Sequence, residues 1–137
     1  MSAELAVQRA LRRRLVASPT VTVLVPAGSI LDTHKRPAPR PSIVLGEAQS
    51  IRAGNIDRTL ETVTHTLHVW TEEPSTETSK RIAGAVRLAI ESARLDLAPD
   101  HHCVDWDVTG SRFLRDPDGV TAHAVLTVGV LVERVAA

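Results

Sequence analysis

Between residues 101 and 107 the chain reads His101-His102-Cys103-Val104-Asp105-Trp106-Asp107, with imidazole, thiol and carboxylate groups crowded together. These are the side chains that ligate divalent metals, and a thiol beside an imidazole is the pairing of a cysteine nucleophile. The spacing argues against both. The segment alternates like a strand, and adjacent strand residues point to opposite faces, so one site cannot collect the set. A structural zinc set needs further cysteines, and Cys103 is the single one. No local signature of a thiol enzyme surrounds it. Asp105 and Asp107 do share a face, roughly 7 Å apart by strand rise. Two carboxylates so placed could hold a cation or divide acid–base work, but solvated groups on an outer sheet face are the simpler account. His65 and His68 also fall on opposite faces of a strand, and their spacing would suit metal only on a helix. There is no phosphate loop, no G-x-G-x-x-G and no G-x-S-x-G. The sequence carries no positive sign of catalysis, and no cofactor or metal is expected.

The elements that would position these residues centre on Asp105 to Glu133. Two β-type runs flank Asp116-Pro117-Asp118-Gly119. Asp116 can accept from backbone N–H groups ahead of it, Pro117 presets φ, and Gly119 tolerates positive φ. This predicts a β-hairpin with a type I turn and a glycine bulge. In the second arm Val120, Ala122, Ala124, Leu126, Val128, Val130 and Val132 share one face, with Thr121, His123, Val125, Thr127, Gly129 and Leu131 on the other. Val104, Trp106 and Val108 are expected on the inner face of the first arm. An arm spanning about 40 Å must cross a broad sheet or extend beyond its own subunit.

Upstream, Ala3 to Ala17 reads as a helix with Ser2 as N-cap and Glu4 in its first turn. Arg12, Arg13 and Arg14 read as a solvated, dipole-matched helix end rather than a nucleic-acid contact. Ser18-Pro19 stops the helix. Val21 to Val25 is a short strand or packed loop, and Ile30-Leu31 could pair briefly. Residues 33 to 41 (THKRPAPRP) read as an extended basic arm. Ser42 to Gln49 reads as a strand, Ser50 to Asp57 as a loop and Arg58 to Trp70 as a long strand. There Val63, His65, Leu67 and Val69 oppose Thr62, Thr64, Thr66, His68 and Trp70. Both faces carry bulk, so the second face could meet a helix or another subunit. A helix follows, with Ser75 as N-cap, running to about Arg94, with Ile82, Val86, Ala89 and Ala93 inward and Lys80, Arg81, Arg87 and Glu91 toward water.

This order predicts one α+β domain over 1–137: an antiparallel β-sheet with a long C-terminal β-hairpin and two main helices packed on one face. The 137 residues can bury a sizeable core. Sixteen basic and sixteen acidic residues cancel, so no global field attracts nucleic acid or an anionic membrane. Aromatic content of 2%, with no tyrosine, is low for a protein that stacks bases or sugars. The N-terminus lacks an apolar signal core, no run approaches a membrane span, and a single cysteine suits synthesis in a reducing compartment.

AVQRALRRRL, PSIVLGE, THTLHVW, SKRIAGAVRLAI and GSRFLRDPDG followed by HAVLTVGV occur in this order from about Ala3 to Glu133. In these motifs and their order the chain resembles the tail-completion, or tail-terminator, proteins of long-tailed phages and gene-transfer agents. The resemblance implies a structural part of the virion or particle tail, made in the bacterial cytoplasm and without catalytic residues. It implies α+β subunits in a hexameric ring that caps the major tail-tube protein and presents a surface to the head-connector or stopper protein. DNA would pass through without sequence-specific binding. Under that reading the 33–41 arm and the Arg115–Gly119 turn project into ring or tube contacts, and His34, Lys35, Arg36, Arg40, Arg112, Arg115, Asp116 and Asp118 are candidate interface residues. The alternatives are a small soluble adaptor or binding module, such as a toxin-neutralising partner, and an enzyme built on Cys103 or the 101–107 cluster.

Overall fold

A computed structural model describes residues 1–33 and 39–136. Its element order is α1 (Ala3–Val16), α2 (Pro19–Thr22), a 3-10 turn (Ala27–Ser29), β1 (Ile30–Leu31), β2 (Ser42–Arg52), β3 (Leu60–Glu72), α3 (Glu77–Glu91), β4 (His101–Arg115) and β5 (Thr121–Arg134). The strands form one five-stranded sheet in the order β1-β2-β3-β5-β4. The fold class is α+β. Every ladder is antiparallel save the short parallel pairing of β1 with β2, which makes the sheet mixed.

β3 and β5 pair along their whole length, from Leu60 opposite Glu133 to Glu72 opposite Thr121. The long hairpin arm therefore does not overrun its own subunit, because β3 matches it residue for residue. Alternation does the rest. Val63, His65, Leu67 and Val69 of β3, with Ala124, Leu126, Val128, Val130 and Val132 of β5, are buried on one face. Val7, Leu11 and Leu15 of α1 and Ile82, Val86 and Ile90 of α3 join the same core. Each fully buried Leu or Ile contributes about 1.5–3 kcal/mol.

α1 starts as its sequence suggests, with the Ser2 hydroxyl accepting from Leu5 N–H at 3.2 Å. Arg13 is exposed at the helix end, as expected, but Arg12, Arg13 and Arg14 also bond to other parts of the fold. Arg12 Nε donates to Ile30 C=O at 3.1 Å and Arg13 Nη2 to Asp96 C=O at 2.7 Å. Arg14 crosses to the last turn of α3, where Nη1 donates to the Ala89, Ile90 and Ala93 carbonyls at 2.8, 3.0 and 3.0 Å, and Nη2 to Arg94 C=O at 2.9 Å. The other end of α3 is also held from outside. The Glu73 carboxylate accepts from Thr78 N–H at 2.9 Å and Ser79 N–H at 3.2 Å, and Ser75 Oγ from Glu77 N–H at 3.2 Å. An anion at the first turn and a cation at the last both match the helix dipole. Thr76, not Ser75, occupies the N-cap position, and the helix ends at Glu91, short of Arg94.

Other expectations are corrected. Val21 to Val25 is no strand: Pro19 opens a four-residue helix there, since its fixed φ suits a first helical position. β2 continues through Ser50 to Arg52, because Ser50–Val63 and Arg52–Glu61 extend the ladder. On β4, register shifts between Cys103 and Asp105 and between Val108 and Gly110 insert extra residues. The first turns Val104 outward, 39% exposed, and leaves Cys103 and Val108 to fill the core.

Candidate interaction surface

α1 and α3 cover one face of the sheet. On the other face no helix lies over the strands among the described residues, and the loop residues Asp32 and Thr33 line a hollow there beside His68 and Trp70. The centre of this face is built by register. Trp70 of β3 sits directly opposite His123 of β5, and their rings stack at 3.8 Å with a 6° interplanar angle. His68 lies diagonally beside them, its ring 5.1 Å from that of His123. His68 Nδ1 is 2.9 Å from His123 Nε2, and His68 Nε2 is 3.0 Å from Glu47 Oε1 on β2.

The carboxylate at one end orders the protons along this row. Glu47 can only accept, so His68 Nε2–H donates to it; neutral His68 then offers Nδ1 as acceptor for Nε2–H of His123. The bond from His68 holds the Glu47 carboxyl below the usual carboxylate range. Burial first, then the neighbouring His68 and Arg112, push His123 below the ordinary imidazole value. Gly46 makes the approach possible: a Cβ there would lie 2.7 Å from His68 Cδ2 and 2.8 Å from Nε2. Among the described residues no group of His, Cys, Asp and Glu could hold a metal ion. A rigid, half-buried Trp–His stack does have the character of an aromatic anchor in a protein contact.

The outer strand of the sheet on this side is β4. α3 guards part of it: Val108 N–H donates to Glu91 Oε2 at 3.1 Å, and Arg87 Nη1 donates to Val108 C=O at 3.2 Å. Arg87 and Glu91, themselves 3.7 Å apart, therefore serve the strand edge rather than facing water alone.

The residues singled out from sequence divide. His34, Lys35 and Arg36 lie outside the described residues. Arg40, Asp116 and Asp118 meet around Thr121. Arg40 Nη1 donates to the Thr121 hydroxyl, which donates to Asp118 Oδ2 at 2.6 Å. Asp118 Oδ1 also accepts from Val120 N–H at 2.9 Å and Thr121 N–H at 2.8 Å, and Asp116 Oδ1 from Asp118 N–H at 3.1 Å. These bonds, that of the Thr121 hydroxyl foremost, hold the Asp118 carboxyl below its ordinary range. Both aspartates are occupied in building the turn, and Gly119 takes the positive φ of 77° expected of it. The end of the proline-rich segment is thus fastened to the hairpin. Arg112 lies opposite Val125 on the open face, while Arg115 lies opposite Ala122 on the other side of the strand. The 101–107 residues are dispersed: His101 is buried against Asp100 at 2.9 Å, His102 and Asp107 are exposed, and Cys103 is in the core. Burial pushes the Cys103 thiol up, the reverse of an activated nucleophile. The Glu47–His68–His123–Trp70 row was not singled out from sequence. Its members share one face by alternation, but only the register of β2, β3 and β5 joins them.

Residues 9–133 match the family model described as tail completion protein gp17. The chain belongs to that family. Among solved structures, this tail completion protein is similar to a chain of the virion of a native gene transfer agent particle, with a TM-score of 0.80 at 23% identity, covering 97% of this chain and 99% of that one. It is also similar to the bacteriophage SPP1 gp17 protein, with a TM-score of 0.64 at 21% identity, covering 93% and 89%. At these identities both show the shared fold. No curated protein matches the chain.

Proposed function

We propose that this tail completion protein is a non-enzymatic part that caps the finished tail tube as a ring of six copies. The ring joins the tube to the head connector of a phage or gene-transfer-agent particle, and DNA passes through its channel without sequence-specific contacts. The observation that carries the reading is the family match over residues 9–133. Three physical features support it. The open face presents stacked rings of the kind that anchor a protein contact. The chain's charges cancel, 16 against 16, so copies can gather without net repulsion. Head-to-tail contacts whose rotation closes make rings. Electron microscopy of particles from a strain lacking the gene tests the reading. Tails of uncontrolled length, or tails unjoined to heads, are expected; normal particles would sink it.

A further inference from the structure

In an antiparallel ladder alternate residues turn both N–H and C=O toward the partner strand, and those between turn theirs outward. The Asp116 N–H to Thr121 C=O bond, 2.9 Å long, sets the phase on β4. Counting back along the register, Arg115, Phe113 and Ser111 turn their backbone groups away from β5. Beyond the bulge, Val108 does the same.

Along the first half of this edge several outward groups are taken. Arg94 bonds Cys103 C=O. The Asp105 carboxylate accepts from Trp106 N–H at 2.9 Å. Glu91 and Arg87 take both groups of Val108. Among the described residues nothing bonds the outward groups of Ser111, Phe113 and Arg115. The opposite edge of the sheet shows the same division. β1 covers only Ile43 and Val44 of β2. The Ala53 N–H to Leu60 C=O bond at 3.0 Å sets the phase there, so Arg52, Ser50 and Ala48 face outward, again without partners among the described residues.

We propose that Ser111–Arg115 of one copy pairs antiparallel with Ala48–Arg52 of the next, so that the sheet continues from subunit to subunit. This deepens the ring reading and rests on it. β2 and β4 run in opposite directions within the sheet. The join is therefore antiparallel without turning a copy over, and the helices stay on one side throughout. Each edge offers its outward residues at the same spacing of two. With Phe113 facing Ser50, Leu114 meets Gln49 and Arg112 meets Ile51 on the open face. Leu114 and Ile51 are 38% and 60% exposed in the single chain, and the join would cover them.

The two free stretches lie at opposite ends of the sheet, because Phe113 is level with Ile43 whereas Ser50 is level with Trp106. Each join thus slides by roughly six residues, about 20 Å. Each copy adds four strands to the continued sheet, because β1 takes the same place beside β2 as the incoming strand; at a spacing of about 4.8 Å they span about 19 Å. That slide over that width inclines the strands by about 46° to the ring axis, close to the tilt at which closed sheets absorb shear.

In the new ladder Leu114 and Gln49 form a pair whose Cα atoms approach to about 4.5 Å, within disulfide reach. The full chain carrying Leu114→Cys and Gln49→Cys, assembled on tail tubes and mildly oxidised, is expected to give a ladder of covalent multimers on a denaturing gel. Each single variant should give none beyond a dimer. Ser111→Pro removes one outward N–H and should abolish the ring while the chain stays folded by circular dichroism; Ser111→Ala should keep the ring. Rings seen by electron microscopy without the covalent ladder, or rings built from folded Ser111→Pro chains, would overturn the strand pairing and leave the ring reading intact. A chain that stays monomeric on tubes would overturn the ring reading and the pairing with it.

Discussion

His68 Nδ1 and His123 Nε2 lie 2.9 Å apart, a separation bridged by one proton and not by two. Burial, the largest cause, pushes His123 below its ordinary imidazole value, so the folded chain favours the neutral ring. Burial does the same to His65 in the core. In the unfolded chain both titrate near 6.5. As pH falls from 6.5 toward the folded-state values, the unfolded chain binds more protons. The stability these rings contribute is present above that range and lost as pH falls through it. Urea midpoints should thus drop between pH ~7.5 and ~5, and His123→Gln should flatten part of the drop. A flat wild-type profile would count against the linkage.

Gly46 has no room for a methyl group, because the His68 ring occupies its place. Gly46→Ala should displace His68 and break its bonds to Glu47 and His123, at a cost of about 1–3 kcal/mol. Truncating the obstructing ring relieves the clash, so Gly46→Ala with His68→Ala should cost clearly less than the two single changes summed. Additive denaturation energies would disprove the contact.

Arg14 gathers the carbonyls of Ala89, Ile90, Ala93 and Arg94, which α3 leaves without intrahelical partners. Arg14→Ala should destabilise the chain by about 2 kcal/mol, in the range of bonds made to a charged group. Arg14→Lys should recover only part, because an ammonium cannot span four carbonyls as a guanidinium does. Equilibrium urea unfolding measures both.

Asp118 closes the hairpin turn through Thr121 and Val120. Asp118→Ala should lower the melting temperature, and Asp118→Asn should lower it less because one acceptor oxygen remains. Any assembly defect of Asp118→Ala should track lost stability. A folded, fully stable variant that fails to assemble would return Asp118 to the interface.

Much of the fold was legible because it is written locally. Ser2 and Glu4 mark the start of α1, D-P-D-G marks the hairpin, and the alternation of β3 separates His65 from His68. What was hidden depends on partners distant in sequence. Val21 and Val25 look strand-like, yet Pro19 opens a helical turn just before them. Val104 alternates correctly on paper, and a bulge visible only against β5 turns it out. Gly54-Asn55 marks a turn, but the pairing of Ser50 to Arg52 with Val63 to Glu61 carries the strand almost up to it. The arginines of α1 look solvated until α3 is placed beside Arg14. The family resemblance was readable for the same reason as the fold: its motifs are strand ends, turns and helix faces. The Glu47–His68–His123–Trp70 row has no linear signature, since three strands must be set in register before it exists.

Cys103 is 1% exposed, with burial raising its thiol pKa. A probe that reads thiolates will therefore pass over the native chain. The protein supplies its own silent background for site-directed labelling, and a spin label or fluorophore placed anywhere on the open face reports on that position alone.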